Sequence, residues 1–482
     1  MSEKSLPESA AIQTMASPLE AVMRREPVTC APDTPVRTAV ALMRRHRIGS
    51  VVITDLAGAP RGIFTLRDLV DRVTPESEAL DRPISAVMTG DVYTLAPSAT
   101  VYEAALAMLR RGIRHLLVVE SGKLVGIISE KDLFSLQRVS MRQLAGAIRD
   151  ADDIGELIAF AQEIREHARK MLGQGVAAEP LTQFIASLND LLTQRVIDLE
   201  FRALRADGLR YCWIALGSEG RYEQTFLTDQ DNAVIFDGAG SADEARAMLL
   251  PCAERVNRAL DRCGFPLCKG NIMAGNPRWC LSLAEWRDRF ANWIDTGEPQ
   301  ALLHGAIFFD FRALHGDAPL ADALRQWLME HAQQTPRFLH QMAANALRNR
   351  PPIGRLRDFL TSNAEGHPRT VDLKLNGATL FTDAARIYSL AAGIAHTNTC
   401  ERLRRFGALR RIDPKEAHAW VDGFLYIQLL RLKQQQRDER RGAPLSNRVD
   451  PDELNVLERA TLREALKQAR ALQSRLALDY RV

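Results

Sequence analysis

The residues with the clearest chemical potential are two carboxylates one residue apart, Asp229 and Asp231, set shortly after a Gly217-Ser218 turn. Apolar runs flank the segment, Tyr211 to Leu216 before it and Ala233 to Phe236 after it. Short apolar runs closed by glycine read as buried strands. The Gly-Ser turn then sits at a strand end, where glycine lets the backbone approach a ligand and N–H groups opening a short helix favour an anion. Asp229 to Phe236 reads as the second strand, and residues two apart on a strand point to one face. Both carboxylates then face one ion. Hard oxygen ligands suit Mg²⁺ or Mn²⁺, and Mg²⁺ takes one or two carboxylates and fills its shell with water and phosphate. The pair reads as a triphosphate cradle followed by a clamp for the metal that orients the α-phosphate while a hydroxyl attacks and pyrophosphate leaves. A lone Gly-Ser turn or a lone Asp-x-Asp is an ordinary solvated turn or cap. Their order between two strands makes the combination specific.

Gly217, Ser218, Gly220, Arg221, Glu223, Thr228, Asp229 and Asp231 match the pattern Gly-Ser, Gly-Arg-x-Glu, Ser/Thr-Asp-x-Asp. On these residues the segment resembles the polymerase-β-like nucleotidyltransferase superfold, and specifically the uncharacterised signal-transduction family similar to protein-PII uridylyltransferase. The resemblance implies a mixed-sheet catalytic domain. It also implies catalytic and metal-holding roles for Asp229 and Asp231, and triphosphate binding by Gly217, Ser218, Arg221 and Glu223. Enzymes of this superfold normally add a third carboxylate from a later strand, expected by chain order near Phe265 to Met273. No acid occurs between Asp261 and Glu285, and Cys268 stands roughly where one is sought. Asp310 is a candidate substitute, the alternative being a core residue paired to Arg312. Arg221 and Glu223 have an alternative too, an internal ion pair that shapes the loop.

The N-terminal third is duplicated. Met23 and Met88, Thr29 and Thr94, Val36 and Val101, Ala39 and Ala104, and Met43 and Met108 recur at an offset of 65, and Gly62 to Leu69 matches Gly126 to Leu133 at 64. Each unit reads helix, strand, strand, helix, with helical spacing over Thr38 to Arg45 and Tyr102 to Arg110 and buried strands at Ser50 to Ile53 and Leu116 to Val119. This pattern resembles a tandem pair of cystathionine-β-synthase (CBS) domains over residues 18–138, as repeats 18–75 and 82–138. The resemblance implies adenine-nucleotide binding (AMP or ATP as a regulatory ligand) through Thr65 with Asp68 and Ser129 with Asp132, and a homodimer formed through the pair. Asp can accept from two ribose hydroxyls and a hydroxyl can donate to phosphate. The same residues also suit helix capping, with Asp68 and Asp132 in a first turn.

Around these lie a flexible N-terminus (1–17), a helical connector (139–204), the transferase domain (205–316) and a C-terminal helical bundle (317–482). The fold class is α+β multidomain. The connector suits a relay between a sensor and a catalytic domain. In the bundle, Asp372, Lys374, His396 and Asn398 are polar residues in apolar surroundings, readable as an acceptor pocket or as satisfied buried groups. The basic run Arg431 to Arg441 reads as a solvated helix end, and Leu454, Leu457, Leu462 and Leu466 as one amphipathic stripe.

Composition bounds the rest. With 482 residues the chain exceeds one core, and 46% hydrophobic with 26% charged residues is ordinary for a globular protein. A net charge of +3 gives no nucleic-acid case. Seven cysteines without Cys-x-x-Cys spacing fit reduced thiols. The polar start and the lack of a spanning apolar run give no membrane partner and a cytoplasmic location. The expectation is a nucleotide-sensing transferase that passes UMP or AMP from a nucleoside triphosphate to a protein hydroxyl. No His-Asp dipeptide occurs, so the hydrolase signature of the bifunctional relatives is missing and reversal needs another enzyme. The alternatives are a non-catalytic adenine-nucleotide sensor in signal transduction and a small-molecule nucleotidyltransferase.

Overall fold

The computed structural model describes residues 18–73, 80–111, 113–129, 132, 144–204, 208–238, 240–354, 359–364 and 367–482. The expected N-terminus 1–17 and the end of the second repeat, 133–138, lie outside the described residues. The chain divides into two compact units, Met1–Gly146 and Ala147–Val482. Among the described residues no helix is long and apolar enough to cross a membrane.

In the N-terminal unit the duplication is structural. Strand β1 (Arg24–Arg25) is followed by β2 (Thr29–Cys30), α1 (Val36–His46), the hairpin β3 (Ser50–Thr54) and β4 (Pro60–Thr65), and the short α2 (Leu66–Asp68). The second copy runs β5 (Thr94–Leu95), α3 (Val101–Arg111), β6 (His115–Glu120) and β7 (Lys123–Ser129). One sheet has the order β2-β3-β4 and the other β1-β7-β6-β5. Both hairpins slip register at the corresponding place, between Ile53 and Thr54 and between Val118 and Val119. The repeats also exchange their leading segments. Leu19 packs in the core of the second repeat with Val101, Leu116 and Ile128, while its counterpart Ile84 packs in the first with Val36, Val51 and Phe64. Each half thus buries apolar surface that the other half supplies, so neither core is complete alone.

The C-terminal unit opens with α4 (Ile154–Gly173) and α5 (Ala178–Phe201), then β8 (Leu209–Ala215), α6 (Gly217–Gly220), β9 (Asn232–Gly238), α7 (Ala242–Arg262), β10 (Cys280–Ser282), α8 (Leu283–Thr296), α9 (Pro299–Phe308) and β11 (Arg312–Gly316). The sheet order is β10-β9-β8-β11, parallel only between β10 and β9. Helices α10 (Ala318–Gln334), α11 (Pro336–Ala346), α12 (Thr379–Ala392), α13 (Thr399–Leu409), α14 (Pro414–Arg440) and α15 (Val456–Tyr480) follow. A small sheet, β12 (Ser362–Ala364), β13 (His367–Asp372) and β14 (Arg448–Val449), is set among them. One continuous apolar core joins Ile214 and Ile235 of the catalytic sheet to Phe381, Trp420 and Leu466 of the helices.

Several local expectations change. The second strand begins at Asn232, and Asp229 to Asp231 precede it outside any strand or helix. The segment 265–273 is a loop, and the later strand is β10 at Cys280. The two helices expected as a connector sit inside this unit: Arg312 pairs with Asp190 on α5 at 2.6 Å, and Gln194 donates to the Leu314 carbonyl. The basic run near Arg431 is only partly solvated, because Arg431 is buried and donates to Asn447 and Gln428. Leu457 lies off the buried stripe, 75% exposed.

Candidate active site

Strand β8 carries the chain to Leu216, whose N–H donates to the Asp231 carbonyl, and α6 turns back over the strand end. Gly217 has φ of +53°, and a Cβ there would lie 3.0 Å from Asp231 Oδ2. Glycine therefore leaves the space beside the carboxylate open. Gln230 points the other way, into the core, where its amide donates to the Asn257 and Phe265 carbonyls at 2.9 and 2.8 Å. This fixed alternation puts Asp229 and Asp231 on the opposite face. The loop after α7 closes against the same turn through Gln230 N–H to the Pro266 carbonyl and Asn232 N–H to the Ile272 carbonyl. It delivers Cys268 to the site: one ligand atom each of Asp229, Asp231 and Cys268 lies within 4.8 Å of the others.

Burial, and then the Asp229 charge, push Asp231 up to about 6; the Lys374 ammonium acts in the opposite sense. Glu219, on the floor of α6, is pushed up to about 8 by burial first and then by the Asp190 charge, so it is mostly protonated at neutral pH. The two carboxylates and the open space at Gly217 fit a divalent cation, with Cys268 beside them.

Arg221 and Glu223 point away from this face. Arg221 donates to Glu223 at 2.8 Å and to Asp310 at 2.7 Å. Asp310 is fully buried and also receives Arg386 and Arg402, each at 2.6 Å. It thus neither joins Asp229, Asp231 and Cys268 nor pairs with Arg312, which instead pairs with Asp190 and lies 3.8 Å over the Tyr222 ring. Burial alone would raise the Asp310 carboxyl, but three guanidinium charges outweigh it and hold it well below the usual carboxylate range. Glu223 accepts from the Thr399 N–H at 2.7 Å, Thr397 donates to the Gly220 carbonyl, and Asn398 donates to the Arg221 carbonyl. The glycine–arginine turn is therefore clasped by the start of α13.

In the N-terminal unit, the two Thr/Ser–Asp pairs line two clefts. One, of about 520 Å³, holds Ser129 and Asp132 with Arg47; the other, of about 440 Å³, holds Thr65 and Asp68 with Arg67 and Tyr93. Arg114 and His115 border both. Each pair bonds internally in the same way: Asp68 Oδ2 accepts from Thr65 N–H and Oγ1 at 2.9 and 2.7 Å, and Asp132 Oδ2 from Ser129 N–H and Oγ at 2.9 and 2.6 Å.

Residues 162–300 match the family described as "Putative nucleotidyltransferase DUF294", residues 336–480 its "Putative nucleotidyltransferase substrate binding domain", and residues 19–74 and 84–138 the CBS domain. The chain thus joins a CBS pair to a DUF294 domain and its substrate-binding domain. Among curated relatives, an uncharacterized protein of Methanopyrus kandleri is 38% identical over 121 residues, 24% of this chain and 60% of that protein. The chain thus spans about three fifths of that relative's length. The CBS domain-containing protein YhcV of Bacillus subtilis is 28% identical over 117 residues, 24% of this chain and 83% of that one. A solved CBS-domain containing protein from Agrobacterium tumefaciens is 34% identical and covers 26% of this chain and 96% of its own, at a TM-score of 0.25.

Within the DUF294 unit the four polar residues of the bundle separate. Lys374 is exposed, and its charge reaches Asp231. Asp372 caps the following turn, accepting from the Lys374 and Leu375 N–H groups at 2.9 Å. Asn398 caps α13, and the His396 side chain is exposed while its carbonyl accepts from Arg402. Glu219 and the Arg386–Arg402 pair carry no sequence signal of their own. Glu219 lies in the motif as an unremarked residue, and the arginines reach Asp310 only through α12 and α13.

Proposed function

We propose that the C-terminal unit transfers a nucleotidyl group, UMP or AMP, from a nucleoside triphosphate to an acceptor hydroxyl on a signalling protein. The observation that carries this is the convergence of Asp229 and Asp231 on one open face beside the Gly217-Ser218 turn. Those carboxylates would hold the divalent cation, which would supply charge neutralisation at the phosphates. Gly217 and Ser218 offer backbone at the strand end to the triphosphate, and Lys374 brings a positive charge from the substrate-binding domain to the same face. Arg221 and Glu223 act on the cradle's position, through Asp310 and Thr399. The N-terminal unit is the adenylate sensor in this reading. A solved CBS domain protein of Pyrobaculum aerophilum was captured with AMP, and both clefts here pair a hydroxyl and a carboxylate with nearby basic side chains.

A second reading, a sensor without chemistry, is favoured by one observation: no third carboxylate joins Asp229 and Asp231 among the described residues, since Asp310 is held by three arginines. The deciding experiment follows label from α-labelled ATP and UTP with Mg²⁺ into native extract, for wild type and for the Asp229→Asn/Asp231→Asn variant. Label on a protein band with wild type alone supports transfer. Label on a low-molecular-weight compound moves the acceptor to a small molecule. No label above the variant, with triphosphate binding intact, supports the sensor.

A further inference from the structure

We infer that the Cys268 thiol is a third protein ligand of the cation held by Asp229 and Asp231, so that the site takes thiophilic divalent ions such as Co²⁺, Zn²⁺ and Cd²⁺ as well as Mg²⁺ and Mn²⁺. This rests on the metal reading of the preceding subsection. Three features of this chain carry it. The first is distance: the sulfur and one oxygen from each aspartate lie within 4.8 Å of one another, the span of ligands around one ion. The second is construction. The loop bearing Cys268 is tied to the Asp-x-Asp turn on both sides, through Pro266 to Gln230 and Ile272 to Asn232, and closed on itself by Asn271 N–H to the Cys268 carbonyl. Four polar bonds around Gln230, Asn232 and Asn257 brace that arrangement from beneath, including Asn257 to Gln230 at 2.8 Å and Ala274 N–H to Asn232 at 2.8 Å. The sulfur is thus held beside the carboxylates by the framework that orients them.

The third feature is access and chemistry. Of the cysteines in the C-terminal unit, Cys212, Cys252, Cys263, Cys280 and Cys400 are buried, and Cys268 alone is partly exposed. No acid stands anywhere from Arg262 to Ala284, so the loop offers sulfur where a hard-ion site would offer oxygen. Two carboxylates and one thiolate form a mixed set. Carboxylate oxygens suit Mg²⁺ and Mn²⁺, whereas thiolate selects softer ions and raises their affinity above what two oxygens give. On ligation the thiol gives up its proton to solvent. The partial exposure leaves room for water or phosphate to complete the shell.

The test uses the full chain and Co²⁺. Wild type and the control Cys30→Ser are expected to show a near-ultraviolet sulfur-to-cobalt charge-transfer band on titration, and Cys268→Ser to lose it. Cadmium affinity should fall on the order of tenfold or more in Cys268→Ser, since even outer partners of a ligand are worth that much. Cys268→Asp should bind Co²⁺ without the band and keep Mn²⁺. Mn²⁺ binding by electron paramagnetic resonance, in wild type against Asp231→Asn, separates the two ideas. A band that persists in Cys268→Ser, or no band in wild type with Mn²⁺ binding intact, overturns the cysteine ligand and leaves the metal site standing. Absence of Mn²⁺ binding to wild type overturns both.

Discussion

The two ligand motifs of this chain are held in opposite ways. In the N-terminal unit, Thr65 with Asp68 and Ser129 with Asp132 close on each other within three residues by the same bonds in both copies, and Asp68 adds a bond from Thr89 and a pairing with Arg72. In the C-terminal unit the Gly-Arg-x-Glu turn adds, to its own Arg221–Glu223 pair, partners far along the chain, Asp310 for Arg221 and the Thr399 N–H for Glu223. A locally satisfied motif keeps its shape whatever surrounds it, so its cleft can be built from two copies. A remotely anchored one also needs the segments that carry Asp310 and Thr399 in place. The difference places Arg221 and Glu223 in the joint between cradle and bundle, and leaves Asp229, Asp231 and Cys268 on the open face.

The contrast is broken most severely at Asp310. Asp310→Asn leaves Arg221, Arg386 and Arg402 buried without their shared counter-charge, and removing one partner of a buried ion cluster costs about 3–5 kcal/mol. All six tryptophans, Trp213, Trp279, Trp286, Trp293, Trp327 and Trp420, belong to the C-terminal unit. Urea unfolding followed by tryptophan fluorescence therefore reads that unit alone, and an unchanged midpoint would refute the joint.

Gly220→Ala probes the same contact from the other side. A Cβ there would meet the Asp310 carbonyl oxygen at 1.8 Å and the Ala215 carbonyl oxygen at 2.9 Å, both backbone atoms that cannot swing away. A loss of about 3 kcal/mol is expected in the same assay, as for other overpacked sites.

The open face has its own signature in pH. Asp231 is raised to about 6 and Glu219 to about 8, in each case by burial first. Both exceed the ordinary carboxyl values of an unfolded chain, so between about pH 4 and 8 the folded state binds more protons than the unfolded one. Stability is then fully present below the unfolded values and is lost as pH rises through the folded ones. Without divalent ions, Asp231→Asn should remove on the order of 2 kcal/mol of that loss between pH 4 and 7. Identical pH profiles for variant and wild type would count against a raised Asp231.

The smallest effect belongs to the local motif. Thr65→Ala and Ser129→Ala should each cost about 1 kcal/mol, the usual worth of a capping side chain. Amide hydrogen exchange over 60–70 and 124–129 would register it. Comparable losses in the two copies sharpen the comparison, and a loss confined to one would end the equivalence of the clefts.

Much of this was legible one element at a time. The offset of 65 residues pairs α1 with α3 and β3 with β6 because each repeat carries its own apolar periodicity. The exchange of Leu19 and Ile84 between cores was not legible, since the apolar spacing of Leu19 with Val22 and Met23, and of Ile84 with Val87 and Met88, does not say which repeat buries it. The spacing of Asp229 and Asp231 is enough to put them on one face, although they stand ahead of the strand. Tertiary bonds from Gln230 to the Asn257 and Phe265 carbonyls keep the alternation that a strand ladder was expected to provide. Cys268 could be placed near them by chain order alone. Asp310 could not: a lone acid in Ile307 to Arg312 gives no hint of arginines 76 and 92 positions away.

By itself, then, the sequence determined the units that depend on neighbours in the chain: the repeat, the capped turns, the Gly-Ser turn and the alternation of the two aspartates. Short-range geometry is set by backbone sterics and by the nearest hydrogen-bonding groups, which one stretch of residues contains. Only the tertiary structure decided which charges meet. Whether Arg221 serves a phosphate or a buried carboxylate, and whether Asp310 faces an ion or three guanidiniums, depends on how the helices pack, because burial and the partner it leaves available set the state of a charged group.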